Sequence, residues 1–400
     1  MIDTSNFTAR AEKLLCENIL PFWIARMADS INGGFYGRMT GEGVVERDAP
    51  KGVVLNARIL WTFSAAYRIF RNAEYLQAAT RAERYLTEHF LDKEFGGVYW
   101  LLTSEGAPLN TKKQFYALAF AIYGLSEYFL ATGNVEALRQ AQDMFEEIET
   151  YSYDPICNGY CEAATREWTP IGDMRLSEKD ANEKMSMNTH LHILEAYTNL
   201  YRAWPSFRLK ERLVNLVNIV LDRIYDPTTG HMGLFFDGQW HRRSVGYSFG
   251  HDIEASWLVQ DAAEASSDAE LIARTRTVTQ HMAHAAMEGL QADGSMIYEQ
   301  REDGTLDTER HWWVQAETVV GLLRLGLRYS DNKTIEASIR CFDYICNHLV
   351  DRKGGEWFWS CYADGTINRR DDKAGIWKCP YHNSKMCFEI IRQLKNNSKP

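Results

Sequence analysis

Proline is scarce, at nine in 400 residues. That scarcity suits long uninterrupted helices and leaves no Pro-rich linker. The short signatures that would commit the chain to a familiar cofactor are missing too. There is no GxGxxG and no P-loop, so nucleotide binding has no support. No HExxH and no CxxC pair occurs, and the eight cysteines have no zinc-finger spacing. They read as reduced, buried thiols. Positive charge is in deficit: 44 Lys and Arg against 54 Asp and Glu give a net charge of -10, which argues against nucleic acid and anionic membranes as partners. No apolar run approaches the roughly 20 residues that span a bilayer. The opening MIDTSNFTARAEK has neither a basic n-region nor an h-region, so no secretory leader is expected and the expected location is the cytoplasm.

What is present in quantity is apolar and aromatic: 45% hydrophobic residues, with 12 Trp, 20 Tyr and 18 Phe. That is enough for a large core, and Trp beyond the needs of packing suits stacking on sugar rings. A turn motif of Asp followed by Gly and an aromatic recurs along the chain. Its copies start at Asp29, Asp92, Asp154, Asp226, Asp293 and Asp351, at intervals of 58–72 residues. Gly supplies each turn, and the residues after it read as a short hairpin. Between these turns apolar residues recur at helical spacing. Twelve helices are expected, near 4–28, 52–71, 74–91, 110–132, 134–150, 184–203, 206–225, 247–265, 268–289, 309–330, 332–350 and 380–396. Those beginning at 52, 110, 184, 247, 309 and 380 are apolar on several sides; the others carry a one-sided stripe. Buried and surface helices that alternate six times predict an all-α, closed (α/α)6 barrel over residues 1–400 as a single domain, with short β-hairpins in its loops. An open solenoid would need polar caps that neither end supplies.

Each expected inner helix nevertheless carries polar residues near its start: Asn56 and Arg58; Tyr116; Asn188, His190 and His192; His251, Asp252 and Glu254; His311, Trp312, Trp313 and Glu317; Tyr381, His382 and Asn383. In a barrel these starts meet at one mouth, where helix N-termini favour an anion. Ser248 reads as an N-cap that places His251 at N3, and Pro380 as a first-turn proline with His382 beside it. His190 and His192 point to different faces; His192 continues the face of Asn188 and is the one expected to look inward. A buried Arg58 calls for a carboxylate or an anionic ligand. His89, His281, His284 and His348 fall on outer helices, and His231 and His241 in a hairpin, all as structural or surface residues. Trp312 and Trp313 cannot both face inward. His192, His251, Glu254 and His382 have the ligand types of a metal site but come from separate helices without compact spacing, so no metal is expected.

Imidazoles, an arginine, carboxylates and indoles around one mouth suit proton transfer on a sugar. Two His on opposite walls could take a proton from one face of a carbon and return one to the other, with Arg58 stabilising the enediolate between. Two competing classes stand beside this reading. Glycoside hydrolysis would need two opposed carboxylates from Asp252, Glu254 and Glu317. A non-catalytic sugar-binding protein would explain the Trp but not the inward His.

The segments KGVVLNARILWTFSAAYR (51–68), MNTHLHILEAYTNLYR (187–202), SFGHDIEASWL (248–258), WWVQAETVVG (312–321) and WKCPYHNSKMC (377–387) resemble the N-acylglucosamine 2-epimerase superfamily, and most closely its cellobiose 2-epimerases. The resemblance implies an (α/α)6 barrel with no metal or organic cofactor. It implies epimerisation at C2 of the reducing-end glucose of cellobiose or lactose through a ring-opened cis-enediol. By this resemblance His251 and His382 are the general acid/base pair, and His192 assists ring opening. Arg58 holds the enediolate oxygens, and Glu254 orients or polarises the histidine side. Tyr116, Asn188, Trp313 and Trp377 contact the substrate, with Trp377 near the second sugar. Related enzymes act on mannose or interconvert aldoses and ketoses, because one enediol serves all of these reactions. The partners expected are a disaccharide or monosaccharide substrate and, at most, a second copy in a weak dimer; a monomer is equally compatible. The connection over 153–183 is a candidate lid.

Overall fold

The computed structural model describes residues 4–396. Among them, helical periodicity broken by the Asp–Gly turns produces twelve long helices: α1 (residues 4–27), α2 (Val53–Phe70), α3 (residues 73–90), α4 (Phe115–Thr132), α5 (Val135–Tyr151), α6 (Met187–Ala203), α7 (residues 207–224), α8 (Phe249–Ser266), α9 (residues 269–289), α10 (Trp312–Tyr329), α11 (residues 332–349) and α12 (Tyr381–Asn396). Local chemistry sets their ends. Asn72, Asn134, Asp268 and Asp331 accept hydrogen bonds from the first-turn N–H groups of α3, α5, α9 and α11. Left-handed residues at Arg71, Gly133, Ser267 and Ser330 end α2, α4, α8 and α10, so each of these four helices turns tightly into the helix that follows.

The even-numbered helices form the inner ring. Each packs on the next, from α2 through α4, α6, α8 and α10 to α12, and α12 packs back on α2. The odd-numbered helices cover them, and α1 closes over α12. This is the expected (α/α)6 barrel. Helix α4 is apolar all round and passes the length and composition test for a membrane span, but 78% of its residues are buried within the protein. A helix enclosed by neighbours has that composition.

A two-residue strand precedes five of the inner helices and pairs antiparallel with the loop of the next repeat. The registers are Lys51 with Leu102, Lys113 with Ala164, Met185 with Phe236, Tyr247 with Gln300, and Arg310 with Cys361. A bridge between Met39 and Ala374 joins the last repeat to the first. These strands explain why α4, α6 and α10 start at 115, 187 and 312 rather than at the expected 110, 184 and 309: the preceding residues spend their N–H groups on a neighbouring repeat.

The repeated aspartates anchor this stitching. In all six copies Oδ1 accepts a backbone N–H two residues on, from Ile31, Glu94, Ile156, Thr228, Ser295 and Lys353 in turn. In four copies Oδ2 also takes a lysine from the segment leading into an inner helix: Lys51 at 2.7 Å, Lys113 at 2.9 Å, Lys184 at 2.6 Å, and Lys373. The turn that marks each repeat thus holds the start of an inner helix in place. Asp29 and Lys51 both have fully buried side chains. Replacing Lys51 by Met strands a buried carboxylate and is expected to cost about 3–5 kcal/mol in urea unfolding, whereas Arg139→Ala, at an exposed pair on α5, should leave the midpoint unchanged.

Candidate active site

Because five inner helices begin beside a stitched strand and the Met39–Ala374 bridge ties the last repeat to the first, the six starts gather at one mouth, and polar residues from distant segments meet there. Arg58 is 3% exposed. Its Nη2 donates to the Tyr116 hydroxyl at 2.8 Å and its Nη1 approaches Cys379 Sγ at 3.8 Å. The guanidinium lies 4.1 Å from the Phe120 ring centroid and 4.7 Å from that of Tyr381. Among the described residues no carboxylate pairs with it, contrary to one half of the sequence expectation, and its Nε has no partner. It is a desolvated cation with no carboxylate counter-ion among the described residues.

Three imidazoles share one pattern. His192 Nδ1 meets Glu195 Oε2 at 3.0 Å, His251 Nδ1 meets Ser248 Oγ at 2.9 Å, and His382 Nδ1 meets Glu317 Oε1 at 2.7 Å. Among the described residues none of the three Nε2 atoms has a hydrogen-bond partner. His251 and His382 lie beside the same indole, with ring centroids 4.7 and 5.6 Å from that of Trp313. Trp312 instead is buried against Trp359 at 4.5 Å, which resolves the doublet in favour of Trp313. His192 packs on Tyr116 and Phe120 at 5.1 and 4.8 Å. Asn188, one turn earlier on α6, has a buried Oδ1 with no partner. Trp377 stands 6.1 Å from Tyr116 and 5.9 Å from Trp100, forming a wall over Arg58's partner.

Burial dominates the electrostatics. It pushes His251 down to about 3, and His192 down to about 4 despite the opposing pull of Glu195. Burial also drives His382 well below its ordinary value, helped by Arg58 and Lys385. Glu195 goes the other way: burial would raise it, yet Lys385 and His192 hold it down at about 2. Burial raises Glu317 to about 7 and, together with repulsion from Glu317, lifts Glu254 well above the carboxylate range. Glu317 accepts N–H groups from His382 and from Trp257 (3.0 Å), while Glu254 Oε1 accepts none. Of the two carboxyls, Glu254 is the one that burial and its neighbour's charge push more strongly toward the neutral form.

The donor atoms of Glu254, Glu317 and His382 lie within 4.8 Å of one another, close enough for a cation. Only Glu254 and His382 come from the ligand set considered in the sequence. Hydrogen bonds engage His382 and Glu317 of this cluster, while Glu254 Oε1 is left without a partner. Other residues fall away from the mouth. His190 is fully buried, its Nε2 accepting the Tyr160 N–H at 2.9 Å and its Nδ1 donating to the Ser186 carbonyl at 2.7 Å. His231 is not the surface residue expected: it is buried, bonded to Asp252 Oδ2 at 2.8 Å and stacked on Tyr247 at 3.7 Å, because its hairpin folds against the start of α8. Asp252 is thereby removed from the hydrolase candidates. Ser248 caps α8 as expected, accepting the His251 N–H at 3.3 Å. Pro380 sits just before α12 rather than in its first turn, its carbonyl accepting the Ser384 N–H at 3.2 Å. The long connection is tied to the start of α4, where Gln114 and Lys112 each donate to the Arg175 carbonyl at 2.9 Å.

A family model described as N-acylglucosamine 2-epimerase (GlcNAc 2-epimerase) matches residues 34–385. The chain belongs to the N-acylglucosamine 2-epimerase family. It is 56% identical to a cellobiose 2-epimerase of Bacteroides fragilis, covering 95% of this chain and 97% of that one. It is 37% identical to a cellobiose 2-epimerase of Ruminococcus albus, covering 94% and 96%. The fold superposes on the cellobiose 2-epimerase of Bacillus thermoamylovorans with a TM-score of 0.93 at 39% identity, covering 97% and 100%.

Sequence reasoning left two groups of this epimerase-family site undescribed. Glu195 and Lys385 were not singled out, although each lies three residues after a chosen histidine and so on the same helix face. Glu317 was noted only as a carboxylate, and its bond to His382 crosses between helices. Gly250 is a tight point: a Cβ there would sit 2.7 Å from both Trp313 Cη2 and Val314 Cγ2. Gly250→Ala should displace the indole between His251 and His382. It is expected to lower kcat/KM more than tenfold and to cost about 1–3 kcal/mol by overpacking, read from sugar turnover and thermal unfolding.

Proposed function

We propose that this protein inverts C2 of the reducing-end glucose of a β-1,4-linked disaccharide such as cellobiose or lactose, giving the mannose form through a ring-opened cis-enediol. The observation that carries this reading is the pair His251 and His382, from α8 and α12, set beside one indole with both Nε2 atoms unengaged. His192, its Nδ1 on Glu195, accepts the O1 hydroxyl proton and passes it to O5 as the C1–O5 bond breaks and the C1 carbonyl forms. One of the paired imidazoles then takes the C2 proton. The C–H electron pair becomes the C1=C2 bond, and the carbonyl oxygen becomes an oxyanion. Arg58 and the Tyr116 hydroxyl stabilise that charge in a dry setting. The other imidazole, protonated, delivers a proton to the opposite face of C2 as the C1 carbonyl re-forms; O5 then attacks C1 while its proton returns to O1 through His192, and proton exchange with water resets the two imidazoles. Asn188, Trp313 and Trp377 hold the sugar, and Glu254 and Glu317 serve His382. Residues 153–183 act as a lid. A hydrolase reading fits poorly, because Glu254 and Glu317 lie together behind His382 rather than on opposite sides of a bond.

The chain works as one catalytic unit, as a monomer or weak dimer in the cytoplasm, without metal or organic cofactor. All eight cysteines are free thiols, which agrees with a reducing compartment. His251→Ala and His382→Ala should each lower turnover of cellobiose by about 10²–10⁴-fold with unchanged circular dichroism. Wild-type enzyme in deuterium oxide should place deuterium at C2 of the product. Near-normal activity in either variant, or product without the label, contradicts the two-base reading. Dialysis against a chelator should leave the rate unchanged; loss restored by one metal ion would contradict the cofactor-free assignment.

A further inference from the structure

Glu195 is 4% exposed, and every contact it makes is directed. Its oxygens accept from His192 Nδ1, from the Tyr381 hydroxyl at 2.6 and 2.5 Å, and from Lys385 Nζ. Lys385 is equally buried. It also donates to the Tyr381 hydroxyl at 2.7 Å, and its ammonium lies 4.5 Å from the Trp257 ring and 4.6 Å from that of Tyr381. It sits one turn beyond Tyr381 and His382 on α12. Nothing in the sugar chemistry above uses it.

We propose that Lys385 is a positioning residue which, through Glu195, keeps His192 in the neutral form with hydrogen on Nδ1 and a bare Nε2 facing the sugar. This rests on the epimerase reading, in which His192 must accept a proton during ring opening. A carboxylate alone beside a buried imidazole would draw a proton onto the ring and leave it unable to act as a base. Lys385 cancels that charge and leaves only the hydrogen bond, which fixes the tautomer. The charged and titratable groups facing His192 and its carboxylate come from every inner helix: Arg58 from α2, Tyr116 and Tyr123 from α4, His251 and Glu254 from α8, Glu317 from α10, and Tyr381, His382 and Lys385 from α12. Glu195 is the carboxylate hydrogen-bonded to His192, and Lys385 is its direct counter-ion.

The sign follows from the folded-state value. His192 lies near 4, so its basic form is present above that pH and is lost only as the pH falls through it. Removing the ammonium leaves Glu195 unbalanced and moves this midpoint upward. The experiment is the pH profile of kcat/KM on cellobiose for wild type, Lys385→Met and Lys385→Arg, with 15N NMR of labelled histidines, the His192 signals being those lost in His192→Asn. In Lys385→Met the acid limb should move up by about one pH unit or more. Lys385→Arg should restore it, and wild-type His192 should be neutral with hydrogen on Nδ1 at pH 7. A uniform loss of activity in Lys385→Met with the wild-type limb overturns the proposal. So does a wild-type His192 found as imidazolium or as the Nε2–H tautomer, a result that does not depend on either Lys385 variant. Wild-type turnover without inversion at C2 would instead sink the epimerase reading and leave the NMR state of His192 standing.

Discussion

The site depends on desolvating imidazoles without leaving their charges unpaired. Removing a histidine from water favours its neutral form, and three histidines at this mouth are pushed down together. A neutral imidazole can act as a base only if the right nitrogen is bare. The protein meets that requirement by engaging Nδ1 of each ring, with Glu195, Ser248 and Glu317. The two cations that compensate the buried carboxyls, Arg58 and Lys385, lie on neighbouring inner helices. Arg58 has no carboxylate of its own among the described residues, so it is the cation left for a developing oxyanion, while Lys385 is committed to Glu195.

This arrangement needs helix starts that do not drift. Packing of apolar faces brings the inner helices together, but packing alone is tolerant of small slides. The two-residue strands and the buried Asp–Lys pairs fix the starts more closely, because each joins the entrance of an inner helix to its neighbour or to its own turn. The Met39–Ala374 bridge closes the series where the chain ends meet. A site assembled from six segments spread over more than 300 residues is held by the same contacts that close the ring.

Much of this was legible in the sequence, for physical reasons that also set its limits. The recurring Asp–Gly turns gave the repeat, and one-sided against all-round apolar patterning separated outer from inner helices. The choice of His192 over His190 rested on helical geometry, and His190 indeed points into a backbone hydrogen bond with Tyr160. The placement of Ser248 as a cap followed from side-chain chemistry. What stayed hidden was mostly contact across helices. The bonds of Glu317 to His382 and of Lys385 to Glu195 join residues whose separation has no periodic signature. His231 was misread for a related reason: a hairpin histidine looks exposed until the hairpin is seen folded onto α8. The helix starts were placed early where the mostly polar residues Lys113–Gln114, Met185–Ser186 and Arg310–His311 belong to a strand, since residue type does not say where an N–H is spent.

The central claim is that His251 and His382 face the two sides of one sugar carbon with Arg58 beside its oxygens. The most direct measurement is a crystal structure with a reduced, ring-opened disaccharide bound, since an alditol keeps the open chain and the C2 hydroxyl. The account requires C2 between the Nε2 atoms of His251 and His382, each about 3.5 Å away on opposite faces, with O1 or O2 on the Arg58 guanidinium. An alditol bound with both imidazoles on the same face of C2, or with its oxygens turned away from Arg58, would contradict it.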